Sequence, residues 1–120
     1  MQLSMTLIIA KDMDRMIAFY RDGIGLRFLE AESSDGWAVF DAGGARLALH
    51  RIPEHIAKNI LIATPPIARG ETPIKLFFRA SGALDAARAH LVASGAVMFD
   101  PHDGRCDGLD PEGNVFSIVT

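Results

Sequence analysis

The chain is short of cysteine, has no concentration of charge of one sign and contains no long apolar run. Each shortage removes a class of protein. Cys106 is the single cysteine in 120 residues, so no intrachain disulfide framework exists, and the usage fits a reducing cytosol. Lys and Arg number 12 against 15 Asp and Glu, for a net charge of −3. The cations are scattered rather than clustered, which leaves no electrostatic footprint for nucleic acid. Nowhere do about 18 apolar residues follow one another, so no helix is expected to span a membrane. The N-terminus lacks a cationic segment followed by an apolar run, so no secretory leader is expected and the location read is cytoplasmic. The stretch "DGIGL" lacks the spacing of a nucleotide-binding glycine loop. What remains is ordinary globular composition, 49% hydrophobic and 22% charged, in a chain long enough to bury one domain's core.

Leu3 to Ala10 are mainly apolar and bounded by Lys11 and Asp12, which predicts a strand. Asp12 is placed to cap a helix whose apolar residues Met13, Met16, Ile17, Tyr20 and Ile24 follow helical spacing. Gly23 and Gly25 stop it. Leu26–Glu32, Trp37–Asp41 and Arg46–Arg51 read as three strands, the last two joined by a glycine turn in "DAGGARLALH". The second half repeats this order. Ile74–Ala80 reads as a strand, and Ser81 as the cap of a helix with Leu84, Ala87, Leu91 and Val92 on one face, closed by Gly95. Val97–Asp100, Arg105–Leu109 and Val115–Val119 then supply three more strands.

Between the halves lies a connection of about residues 52–72, long enough that function, disorder or an element of its own is expected. Glu54 to Ile62 predicts a short amphipathic helix ended by Pro65 and Pro66. The segment is either a lid or dimer contact over a cavity, or a surface linker.

Two stretches, "KDMDRMIAFYRDGIGLRFLE" and the terminal "GLDPEGNVFSIV", resemble the vicinal oxygen chelate superfamily of glyoxalases, bleomycin-resistance proteins and extradiol dioxygenases. "WAVFDAGGARLALHR" and "ALDAARAHLVASGA" add weaker support. The resemblance covers nearly the whole chain and rests on the combination and order of these motifs. It implies an α+β fold of two βαβββ modules, whose curled mixed sheets enclose a cavity, usually within a homodimer. Module one is about 1–51 and module two about 73–120.

Enzymes of that superfamily hold a divalent metal with donors from the first and last strands of each module. Matched residue by residue, those positions carry Met5, Ala48, Lys75 and Ser117. A metal site needs converging nitrogen or oxygen donors. Met5 offers only a thioether, Ala48 offers nothing, Lys75 sets a cation against a cation, and a neutral Ser117 hydroxyl is a poor ligand. A shift of one residue brings Ser4, Thr6, Leu47, Leu49, Ile74, Leu76, Phe116 or Ile118, which rescue nothing. No metal and no other cofactor are therefore expected. Elsewhere, only His102, Asp103, Cys106 and Asp107 crowd donors together, and a solvated loop is the simpler account of them; His50, His55 and His90 stand apart.

Strand alternation places Trp37, Arg46, His50, Lys75, Phe77, Arg79 and Ser117 on the expected cavity face. Lys75 and Arg79 suit a carboxylate or phosphate, and Trp37 and Phe77 suit a planar ring. The simpler alternatives are that Arg46 and Arg79 reach solvent from strand ends, that His50 is a satisfied strand-end histidine, and that Trp37 packs in a core or dimer contact. Ser117 has no sequence-indicated base. The expected function is binding of a small, anionic or aromatic molecule by a metal-free homodimer, with no catalytic residue. A cavity this basic is ill-suited to a cationic drug. The alternative is an enzyme of the same superfamily, a lyase, isomerase or dioxygenase, with an altered site.

Overall fold

The structure, a computed structural model, describes residues 1–120. Strand β1 (Met5–Ala10) is followed at once by Asp12, whose carboxylate accepts the Arg15 N–H at 3.1 Å and starts α1 (Met13–Ala18). This is the expected cap: the side-chain oxygen satisfies one of the amides that a helix start leaves unpaired. The helix then widens into a π turn, Phe19–Gly23, with Phe19 and Tyr20 buried edge to face, ring centroids 5.2 Å apart.

The second expected strand is cut to β2 (Arg27–Phe28), and Glu30–Glu32 form a 3₁₀ turn instead. The cause is Ser33. Its hydroxyl donates to the Leu29 carbonyl at 2.7 Å and accepts the Val39 N–H at 2.9 Å, so it replaces a partner strand at that point. Strands β3 (Trp37–Asp41) and β4 (Arg46–Arg51) keep their expected limits. The sheet runs β1-β4-β3-β2, with β1 parallel to β4 and the other pairs antiparallel. Phe40, Leu47 and Leu49 face α1, and Tyr20 meets Phe40 at 6.3 Å. Each such buried side chain contributes about 1.5–3 kcal/mol of hydrophobic stabilisation.

The chain divides into two compact units, Met1–Leu61 and Ile62–Thr120. In the first, Ile52 N–H bonds the Ala10 carbonyl, and the Lys11 ammonium donates to the Ile60 carbonyl. The short helix of the connection, α2, is limited to Glu54–Ala57.

In the second unit β5 (Leu76–Arg79), β6 (Val97–Met98), β7 (Arg105–Leu109) and β8 (Val115–Val119) form the sheet β5-β8-β7-β6, with β5 parallel to β8. The helix α3 (Leu84–Ala93) starts later than expected: Ala83 is the N-cap and Ser81 makes no cap. Val92 also turns outward, 50% exposed. Arg88 bonds the Phe99 carbonyl across to the sheet while Leu91 is buried, so the packed face is Leu84, Ala87, Arg88 and Leu91. The resulting protein is α+β, with two four-stranded mixed sheets. No helix is long and apolar enough to cross a membrane.

The turn before β8 is built by Asp110, which is fully buried. One carboxylate oxygen accepts the Glu112 and Asn114 N–H groups at 2.9 and 3.0 Å, and the other accepts the Asn114 amide at 2.8 Å. Gly113 takes φ +86°, and a Cβ there would lie 2.1 Å from the Ile67 carbonyl oxygen. Gly113→Ala is therefore expected to destabilise by roughly 1–3 kcal/mol, from strained φ and the backbone clash together. Urea unfolding would show a lower midpoint at unchanged slope; an unchanged midpoint would mean that the Ile67 segment does not pack there.

Candidate functional site

Each sheet has one face covered by its helix and one that carries none. On β8, Phe116 and Ile118 turn to the helix side, so Ser117 turns to the other face together with Val115 and Val119. The register sets Ser117 between Phe77 on β5 and Asp107 on β7, and Val119 between Arg79 and Arg105. Three cations, one acid and one exposed aromatic ring thus share the helix-free face of the second sheet.

Ser117 is 0% exposed, so its hydroxyl needs an internal partner. It donates to one oxygen of Asp107, directly across the strand pair. Lys75, just before β5, reaches the other oxygen at 3.0 Å, and His102 Nε2 lies 3.9 Å from it. The Ser117 hydrogen bond holds the Asp107 carboxyl below the usual carboxylate range, against the opposing effect of desolvation; the Lys75 ammonium and the Arg105 charge add to it. Behind the sheet, burial pushes the Cys106 thiol up, and its S–H points at the Phe99 carbonyl.

The remaining sequence-identified residues have other partners. Trp37 and His50 face each other across β3 and β4 in the first sheet, edge to face at 5.6 Å. Arg46 is bound to Glu32 at 3.0 Å and lies 3.8 Å from Asp41, which raises its pKa further. Arg79 donates to the Thr120 carbonyl. Phe77 has no such engagement with its neighbours and is 56% exposed. The structure therefore brings Lys75, Phe77 and Ser117 together, and pairs Trp37 with His50 in the other unit. Sequence reasoning missed Asp107 and Arg105 as companions of Ser117. The alternation of "RCDGL" carried that signal, because residues 105, 107 and 109 must share a face.

The metal implied by the superfamily resemblance does not fit these residues. Asp107 is the one carboxylate beside Ser117, and an ammonium already neutralises it; a divalent ion there would face Lys75. No three His, Cys, Asp or Glu side chains gather anywhere in a way that holds a metal ion. Nor does Ser117 resemble an activated nucleophile, since it is buried and hydrogen-bonded to a carboxylate of lowered basicity.

Because Asp107 titrates lower when folded than when unfolded, its contribution to stability is present above the ordinary carboxylate range and is lost as pH falls through its folded value. Asp107→Asn should consequently lose less stability than the wild type between about pH 5 and about pH 2. Urea unfolding at both ends measures this, and equal losses would show that Asp107 does not titrate low.

Comparison with known proteins agrees with the topology. Residues 5–119 match the model of a glyoxalase-like domain. A glyoxalase/bleomycin resistance protein/dioxygenase family enzyme from Burkholderia phytofirmans is 22% identical, with a TM-score of 0.76 over 98% of this chain and 97% of that one. A glyoxalase-related enzyme from Fulvimarina pelagi is 17% identical, with a TM-score of 0.72 over 98% and 86%. The fosfomycin resistance protein FosX from Mesorhizobium loti is 17% identical, with a TM-score of 0.68 over 98% and 88%. No curated protein matches the sequence. With its strand order, its twin modules and a family match along nearly its full length, the chain belongs to the glyoxalase-like domain family, within the vicinal oxygen chelate superfamily.

Proposed function

We propose that the protein binds a small anionic or aromatic molecule without a metal, against the helix-free face of its second sheet, and leaves it chemically unchanged. The observation that carries this reading is the state of Asp107. The one acid on that face is already bound by Lys75 and Ser117, so the surplus there is cationic and sits near an exposed Phe77. Apolar surface with a few orienting polar groups is the usual make-up of a small-molecule site. An aromatic ring suits Phe77 by offset or edge-to-face stacking.

A thermal-shift series of anionic, neutral and cationic aromatic compounds tests the proposal. An anionic aromatic present at a hundredfold excess over its Kd should stabilise the protein by about 2.7 kcal/mol, seen as a raised Tm. If no class raises Tm at high excess, the binding reading falls. Metal analysis of the purified protein is the second arm. Stoichiometric Ni, Zn, Fe or Mn would overturn the metal-free part and favour an enzyme of the same superfamily.

A further inference from the structure

Arg105 is the cation of the second sheet left without a partner. Its Nε is buried and finds no hydrogen-bond acceptor. The ion pairs of this unit are Lys75 with Asp107 and Arg88 with Asp100, and Arg105 enters neither. Arg79, across Val119 from it, already donates to the Thr120 carbonyl. A buried guanidinium N–H without an acceptor costs free energy, and native proteins rarely leave one so. Asp107 interacts with Arg105 through its charge, and its hydrogen bonds go to Ser117 and Lys75.

We propose that Arg105 is the anion-binding residue of this protein, and that the acceptor its Nε lacks is a carboxylate of the ligand. This rests on the small-molecule reading above and names the group that recognises the ligand's charge. Arginine suits the task because its planar fork binds a carboxylate through two parallel N–H bonds, and its charge survives burial. Asp107 then has a positioning role: it occupies Lys75 and Ser117, so the ligand's anion meets Arg105 and not the ammonium. Phe77 lies two strands across and two residues along from Arg105, about 12 Å away at ordinary strand geometry. The ligand class is therefore an aromatic acid whose ring and carboxylate are separated by a short spacer, or a smaller acid that uses Arg105 alone.

The test uses the full chain labelled with ¹⁵N, titrated with sodium benzoate, with benzamide as its neutral isostere and with benzylamine as a cation. The Arg105 Nε–H resonance is assigned by its loss in Arg105→Lys. Benzoate is expected to move that resonance saturably, whereas benzamide and benzylamine should not. Arg105→Gln should weaken benzoate binding by about tenfold or more, with Arg105→Lys in between. If Arg105→Gln does not fold, the wild-type resonance and Arg105→Lys still decide the matter. Benzoate binding that leaves the resonance unmoved, or that is undiminished in both variants, overturns the role of Arg105 and leaves the small-molecule reading standing. Binding of benzamide or benzylamine without benzoate overturns the anionic class alone. If none of the three binds at about millimolar concentration, both readings fall.

Discussion

Parallel pairing of β1 with β4, and of β5 with β8, is the constraint on which everything else in the two units depends. A parallel partner cannot be reached through a hairpin, so the chain must travel out and return before the pair forms. In each unit that excursion contains one helix, which packs on a single face of the sheet. The strand residues are thereby sorted into two populations. Phe40, Leu49, Phe116 and Ile118 go to the helix side and are buried, whereas Leu7, Ile9, Phe77, Asp107 and Ser117 go to the side with no helix. Apolar residues on both faces are what a sheet needs when its second face meets something other than water.

On that second face the consequences form a chain of necessity. Ser117 is fully buried, so its hydroxyl must have an acceptor, and the strand register presents Asp107 directly opposite. A partly buried carboxylate in turn requires positive charge, and Lys75 supplies it. With Asp107 satisfied in this way, Arg105 is left over. The centre of that face is thus an internal ion pair of Lys75 and Asp107, with Ser117 bound to the same carboxylate.

Much of this was legible along the chain. The Asp12 cap and the limits of β3, β4, β7 and β8 depend on interactions within a few residues, and each follows from local side-chain chemistry. The misses have the same origin in reverse. Ser33 shortens β2 by binding Val39, a contact that no local pattern announces. Helix α3 begins at Leu84, and the structure offers no physical account of why Ser81 is passed over. Val92 turns outward, and Arg88, one turn before it, instead bonds the Phe99 carbonyl. At the candidate site, the superfamily resemblance marks Lys75 and Ser117 and alternation adds Phe77, whereas the pairing of Asp107 with Ser117 depends on the register between β7 and β8.

The sequence by itself determined which side chains share a face, because strand alternation is a property of consecutive residues. Only the tertiary structure decided that Ser117 meets Asp107, that Lys75 reaches the same carboxylate and that Arg105 reaches none. Those pairings are set by register between strands distant in sequence and by how far each side chain extends, neither of which is written in any single strand.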